Sequence, residues 1–165
     1  MIKQSTDELR DTARRMRIEI LKMLNRAASG HTGGSLSATD IIAALYFRVM
    51  DHDPRNPLWP ERDRFVLSKG HGAPALYTAL AFSGYFDKKE LATLRQVGSI
   101  LQGHPDMRKT RGADASSGSL GQGLSIANGI AMGLRLDGIG SNVYAMLGDG
   151  ELQEGQVWEA AMSAA

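Results

Sequence analysis

Three histidines of this chain stand in one local setting: Gly30-His31-Thr32-Gly33-Gly34, Gly70-His71-Gly72 and Gly103-His104-Pro105. Glycine lets the backbone come close to a ligand and take angles closed to other residues. Histidine offers a donor, an acceptor and a proton that moves near neutral pH. One Gly-His pair alone reads as an ordinary surface or structural histidine. Three such pairs in a chain with 4 histidines point to a polar pocket for hydroxyls, phosphates or both. His52 lacks the glycine setting and reads as a solvent-facing loop residue.

A second constellation is Val143-Tyr144-Ala145-Met146-Leu147-Gly148-Asp149-Gly150-Glu151. A buried strand ends in Gly-Asp-Gly and a helix follows. Open α/β sheets bind ligands at the carboxyl ends of their strands, and the N-terminus of the next helix offers free N–H groups to an anion. Asp149 would repel a bare phosphate, so a cation between them is the consistent reading. Mg²⁺ or Ca²⁺, held by one carboxylate and phosphate oxygens, fits that chemistry. The same tripeptide also reads as a turn whose aspartate caps the helix. It is not a Walker A loop, which needs Gly-x-x-x-x-Gly-Lys-Ser/Thr.

Composition narrows the class. The chain has 165 residues, 42% hydrophobic and 22% charged, as expected for one soluble domain. A net charge of +1 gives no bulk attraction to nucleic acid or to an anionic membrane. With no cysteine, disulfides, thiolate nucleophiles and Cys-based metal sites are excluded. Met1-Ile2-Lys3-Gln4-Ser5 has no apolar signal-peptide core. No apolar run approaches the roughly 18 residues of a membrane span. A cytoplasmic protein is the expectation.

The elements that must hold these residues are visible as patterns. Ser5 to Ala28 reads as an amphipathic helix with a Ser5/Glu8 capping box. Its apolar face is Leu9, Ala13, Met16, Ile20, Met23, Leu24 and Ala27. Gly30 falls where a C′ glycine belongs. A second helix is predicted over Ala38 to Met50, capped by Ser37 and Asp40, with Ile41, Ile42, Leu45, Tyr46 and Val49 as its buried stripe. Asp51 to Pro60 is a loop by its prolines. Phe65-Val66-Leu67 is a short buried strand, Ala73 to Phe82 and Lys88 to Val97 are helices, and Gly98 to Gly118 is irregular.

Leu120 to Leu136 reads as a helix in which Gly121, Ser125, Gly129 and Gly133 share one face. Each interior glycine costs roughly 1 kcal/mol relative to alanine, so the row implies close approach of another backbone or of a ligand. Val143 to Leu147 is a strand, and Leu152 to Ala165 a helix without a stop signal. Only two good strands can be found, against about 5–6 in a mean sheet. A strand-turn-helix unit normally feeds another parallel strand. The expectation is therefore one α/β domain over residues 1–165, a parallel sheet flanked by helices, incomplete at its C-terminus. Phe65 and Leu147 would then lack a sheet to bury against.

Five segments, in order, resemble the N-terminal region of transketolase. They are Gly30-His31-Thr32-Gly33-Gly34-Ser35-Leu36-Ser37, the run from Asn56 to His71, Gly103-His104-Pro105, Gly118-Ser119-Leu120-Gly121-Gln122-Gly123, and Gly148-Asp149-Gly150-Glu151-Leu152-Gln153-Glu154-Gly155. The resemblance implies a thiamine diphosphate-binding domain that transfers a two-carbon ketol unit between sugar phosphates. It implies that Asp149 ligates the metal, Mg²⁺ or Ca²⁺, and that Gly150 and His71 contact the diphosphate. Gly118 and Leu120 would meet the aminopyrimidine side. His31 and His104 would be catalytic, meeting the substrate's hydroxyls, and Glu154 would serve the cofactor at a dimer interface. The glycine-lined helix would pack at that interface.

The family's second metal-ligating asparagine and its aminopyrimidine-activating glutamate fall outside these 165 residues. The resemblance thus implies a homodimer, or a heteromer with a C-terminal transketolase subunit. It implies no activity from this chain alone. Deoxyxylulose-phosphate synthase shares the strand-Gly-Asp-Gly-helix unit, although Leu152-Gln153-Glu154-Gly155 and Gly103-His104-Pro105 fit transketolase better. A non-catalytic fragment at a partner interface is the reading of a different class.

Overall fold

The computed structural model describes residues 3–165. Met1 and Ile2, part of the start read above for a leader, lie outside the described residues. Helix α1 (Thr6–Ala27) begins at the expected capping box: Ser5 Oγ accepts the Glu8 N–H at 3.3 Å and the Glu8 carboxylate accepts the Ser5 N–H at 2.7 Å. Its buried face carries Ala13, Met16, Ile20, Met23 and Leu24. The helix closes on Ala28, left-handed at φ 47°, and not on Gly30 as expected. The Ala28 N–H reaches back to the Asn25 carbonyl at 3.2 Å, which ends the helix before Gly30 can cap it.

Helix α2 (Thr32–Ala44) starts six residues earlier than predicted, immediately after His31. Gly33 and Gly34 lie inside it, so glycines taken for loop are helical. Ser37 and Asp40 are not caps: Ser37 Oγ accepts from Lys69 Nζ at 3.3 Å and Asp40 pairs with Arg17 of α1. A wide turn over Leu45–Val49 follows, closed by the Met50 N–H on the Leu45 carbonyl at 2.8 Å. Such a π-turn adds a residue to the helical repeat. The predicted stripe is displaced accordingly: Tyr46 and Phe47 are buried, while Ile41 is 54% and Val49 43% exposed.

Strands β1 (Arg64–Leu67) and β2 (Val143–Met146) pair in parallel, with Phe65 opposite Tyr144 and Leu67 opposite Met146. Successive side chains of β1 point to opposite faces. Phe65 and Leu67 join the main core of α1, α2 and α3 (Ala73–Ser83), whereas Val66 packs with Ala115 and Ala127 on the face of α4 (Gln122–Leu136). Helices thus sandwich a two-stranded parallel sheet among the described residues, the expected α/β class. Phe65 is fully buried, its ring 5.7 Å from that of Tyr46, so helices supply the cover expected of further strands. All of β2, read as buried, is only half-buried, because its outer edge has no strand beside it among the described residues.

Three more expectations change. His52 is 5% exposed, not solvent-facing: it stacks on Tyr85, Nδ1 meets the Tyr85 hydroxyl at 3.0 Å and Nε2 meets the Tyr46 carbonyl at 2.8 Å. The predicted helix over Lys88 to Val97 is a tighter 3₁₀ stretch, Lys88–Thr93, ending before Arg95, whose φ is +63°. The final helix α5 (Gly155–Ala164) begins three residues after Leu152, because Gly150–Gln153 forms a 3₁₀ turn first. No helix among the described residues is long and apolar enough to cross a membrane.

Candidate functional site

Parallel pairing brings the carboxyl ends of β1 and β2 to one end of the sheet, where the Ser68 N–H continues the ladder to the Met146 carbonyl at 2.9 Å. Ser68-Lys69-Gly70-His71 therefore leaves β1 beside Gly148-Asp149-Gly150 leaving β2. The Gly118–Gly121 turn before α4 closes on the same place. Gly121 has φ 84°, a left-handed value open to glycine. Gly123, one residue into α4, donates its N–H to Ser68 Oγ at 3.1 Å.

One carboxylate ties these segments together. Glu151 is 3% exposed. Its Oε1 accepts the Gly121 N–H at 2.8 Å and the Ser68 hydroxyl, and its Oε2 accepts the Gly148 N–H at 2.8 Å. A buried carboxylate is tolerated when its lone pairs are filled by such donors. It also sits at the N-terminus of α4, whose dipole favours negative charge. Sequence reasoning missed this residue. Glu151 is one residue past Gly-Asp-Gly, but its partners lie 30 and 83 residues away. The only local signal is an acidic side chain in the first turn after β2.

The three glycine-flanked histidines do come together. The rings of His31 and His71 meet edge to face with centroids 5.0 Å apart. Gly34 makes room for His71: a Cβ at Gly34 would lie 3.0 Å from its ring. A Cβ at Gly70 would stand 2.8 Å from the Gly118 backbone nitrogen, and one at Gly118 3.2 Å from the His104 ring. Histidine, glycine turn and histidine are thus stacked without space for further side chains. Tyr77 fixes the His104 loop by donating its hydroxyl to the carbonyls of Gln102 and His104 at 2.9 and 3.0 Å. Burial pushes the Tyr77 hydroxyl pKa well up, so it stays a donor. Burial first, then the neighbouring His31, Lys69 and His104, lowers the His71 pKa below its usual 6.5, so His71 is neutral at neutral pH.

Asp149 and Gly150 are exposed at the mouth of this arrangement. Asp149 has helical angles (φ −62°, ψ −45°) and makes no capping hydrogen bond, so the capping reading of Gly-Asp-Gly finds no support. A Cβ at Gly150 would meet nothing within 4 Å, which leaves open space at the residue after Asp149. No group of three or more His, Cys, Asp or Glu among the described residues could hold a metal ion. Asp149 therefore offers a cation one ligand, and a phosphate-borne cation suits it better than a protein cage. Leu120 is 39% exposed, and its carbonyl accepts from Gln156 Nε2 at 3.0 Å. Glu154 is exposed at the start of α5, and its N–H donates to the Glu151 carbonyl at 3.0 Å.

The glycine row of α4 divides. Gly121 lies outside the helix and packs against Gln156, while nothing within 4 Å would meet a Cβ at Gly129 or Gly133. Close approach within this chain occurs at Gly121 and at Gly123, the latter absent from the predicted row. A cavity of about 540 Å³ lies elsewhere, lined by Tyr46, Met50, His52, Trp59 and Ser83 among others, and includes none of the predicted site residues.

Residues 8–165 match the family described as transketolase, thiamine diphosphate binding domain. The chain is 52% identical over 157 residues to a 6-deoxy-6-sulfo-D-fructose transketolase subunit of Clostridium sp. (strain MSTE9), covering 95% of this chain and 57% of that one. It is 44% identical over 162 residues to an apulose-4-phosphate transketolase subunit of Actinobacillus succinogenes, covering 98% of this chain and 59% of that one. It is 46% identical over 158 residues to transketolase of Homo sapiens, covering 95% of this chain and 25% of that one. The crystal structure of transketolase from Campylobacter jejuni superposes with a TM-score of 0.89 at 37% identity, over 98% of this chain and 26% of that one. The chain thus spans a little over half of the subunit relatives and about a quarter of the transketolases.

Proposed function

Because this chain belongs to the transketolase family, through its thiamine diphosphate binding domain, we propose that it supplies the diphosphate and metal side of a ketol-transferring site, together with two substrate histidines. The observation that carries this is the convergence of His31, His71, His104 and the two strand-end turns at one end of the sheet, with Glu151 joining the turns. Residues 1–165 act as one domain of a larger enzyme, with the remaining ligands supplied outside them.

The residues present fit the group. Asp149 is a carboxylate without a protein partner beside open space at Gly150. Neutral His71 retains one N–H to donate to a diphosphate oxygen without carrying charge. The turn carrying Gly118 and the part-exposed Leu120 would meet the flat heterocycle. Thiamine diphosphate, when bound, accepts the electron pair released as the donor sugar's carbon–carbon bond breaks.

This chain's own residues handle position and protons. Asp149 holds Mg²⁺ or Ca²⁺ at the diphosphate. His31 and His104, both exposed on glycine-rich backbone, hydrogen-bond the sugar's carbonyl and hydroxyl oxygens. There they stabilise developing negative charge and pass protons to and from those oxygens. Tyr77 keeps the His104 loop in place. Glu154 acts at the interface with a partner.

Two of the relatives are named as subunits of transketolases. We take the same arrangement for this chain: a partner subunit or a second copy completes the site, covers the open edge of β2 and packs on the Gly129/Gly133 face of α4. Those relatives are named for a sulfo sugar and a sugar phosphate, which supports a ketose with an anionic end as donor. Their names favour transketolase over deoxyxylulose-phosphate synthase. The test is a coupled ketol-transfer assay on the complete enzyme with thiamine diphosphate and Mg²⁺. Absence of turnover with every ketose phosphate tried, the cofactor being bound, would remove the reading.

A further inference from the structure

The peptide group between Leu120 and Gly121 is held at both of its polar ends. Its carbonyl accepts from Gln156 Nε2 at 3.0 Å, and its N–H donates to Glu151 Oε1 at 2.8 Å. Both side chains come from the segment that follows β2. Rotating this peptide group would break both bonds at once, so the turn before α4 keeps one orientation. Glu151 is buried and also serves Ser68 and Gly148, which makes it a tie of the fold as a whole. The side chain of Gln156 is half-buried and, among the described residues, hydrogen-bonds only to Leu120 and Gln122.

The amide of Gln156 is itself oriented. Its Oε1 accepts from Gln122 Nε2 at 2.6 Å, which leaves Nε2 to face the Leu120 carbonyl. A Cβ at Gly121 would fall 2.5 Å from that Nε2 and 2.9 Å from Cγ, so a side chain at 121 would displace the amide. The φ of 84° at Gly121 makes a second demand for glycine there. Helix α5, of which Gln156 is the second residue, is fixed against α4 farther along: Val157 and Ala160 are buried, and the Asn128 side-chain amide donates to the Ala160 carbonyl at 2.7 Å. A glutamine that served only as helix surface would need neither a carbonyl partner across the turn nor a glycine to make room for it.

Resting on the reading of the Gly118 and Leu120 turn as the part that meets the cofactor's heterocycle, we propose that Gln156 is a positioning residue for that heterocycle. It fixes the Leu120–Gly121 peptide group, and with it the part-exposed Leu120, before the cofactor arrives. A turn ordered in advance has less freedom to lose on binding, and that difference appears as affinity. Asp149 and His71 stand in the other two turns, so the grip on the diphosphate does not pass through Gln156. The two halves of the cofactor are thus supported by separable parts of the chain.

The test is calorimetry on the complete enzyme at fixed Mg²⁺ with two probes: thiamine diphosphate, and inorganic pyrophosphate, which carries the anion without the heterocycle. Gln156→Ala should weaken thiamine diphosphate by about 5-fold, the size of one hydrogen bond, and change pyrophosphate by less than about 2-fold. Gln156→Glu keeps the length of the side chain and the acceptor for Gln122, but sets an anionic oxygen against the Leu120 carbonyl. It should weaken thiamine diphosphate at least as much as Gln156→Ala does, a result that space filling alone would not give. A carboxylate suits the first turn of a helix, so Gln156→Glu remains decisive if Gln156→Ala loses stability. Equal weakening of both probes, wild-type affinity for both, or wild-type cofactor affinity in Gln156→Glu overturns the assignment. If the wild-type enzyme binds neither probe, the diphosphate reading falls and this assignment falls with it. If wild type binds thiamine diphosphate no more tightly than pyrophosphate, the turn does not meet the heterocycle, and the assignment falls on that ground. If wild type prefers thiamine diphosphate and both variants keep the same preference, the assignment alone is lost.

Discussion

The carboxylate of Glu151 accepts the Gly121 N–H and the Gly148 N–H at 2.8 Å each, one on either oxygen, and so binds the turn before α4 to the turn after β2. With the Ser68 hydroxyl as a third donor, one buried side chain joins all three segments that carry the proposed cofactor contacts. Glu151→Ala leaves a buried N–H, a half-buried N–H and a buried hydroxyl without an acceptor. Stability of the complete enzyme to urea should fall by about 3 kcal/mol, and thiamine diphosphate affinity should fall with it. Ser68→Ala should be strongly non-additive with it, because both act in one network. A Glu151→Ala variant within about 0.5 kcal/mol of wild type would show that the three segments are held by something else.

His31→Ala and His104→Ala should each leave the cofactor bound and lower kcat/KM for the ketose donor by on the order of 10²-fold or more, as expected for a proton-transfer role. The two histidines sit on separate loops, α2's start and the Tyr77-fastened loop, so neither change should unfold the other's support. Calorimetry with thiamine diphosphate alongside steady-state kinetics separates the outcomes. Normal ketol transfer by either variant would take that histidine out of the site.

Two histidines make stability fall on the acid side. Burial lowers the pKa of His52, with the Tyr46 carbonyl acting against it, and burial together with nearby cationic groups lowers that of His71. Between each folded value and the unfolded 6.5, the unfolded chain binds more protons than the folded one. Stability therefore rises with pH across that window and is flat above it with respect to these groups. Melting temperature should drop as pH falls below about 6.5, and His52→Gln should shrink the drop. A melting temperature independent of pH between about 5 and 7, or a slope unchanged in His52→Gln, would contradict the burial assigned to His52.

Local patterns were the readable part of this fold. The Ser5/Glu8 box, the Met16/Ile20/Met23 face, both strands and α3 follow from spacing alone, and the order of the Gly-His and Gly-Asp-Gly segments was enough to reach the family. What escaped depends on contacts far apart in the chain. His52 is buried by Tyr85, 33 residues away. The wide turn at Leu45–Val49 shifts the stripe of α2 without a glycine or proline to mark it. Gly33 and Gly34 look like loop residues, yet both are helical, and position 34 is a glycine because the His71 ring occupies the place of a side chain. Glu151 and Gln156 carry no motif of their own, and their partners are set only once the turns are folded together.

The proposed metal role of Asp149 is the point on which the rest depends most directly. It rests on an exposed carboxylate at the carboxyl end of β2, free of any capping bond and next to open space at Gly150. The decisive measurement is thiamine diphosphate affinity by calorimetry, at a fixed Mg²⁺ concentration, for the complete enzyme and for Asp149→Ala. Binding that is tight and Mg²⁺-dependent in wild type and lost in the variant is the expected result, because the proposal gives the ion Asp149 as its ligand from this chain. Equal affinity in the two proteins, with the same response to Mg²⁺, would contradict it and would move the diphosphate away from this end of the sheet.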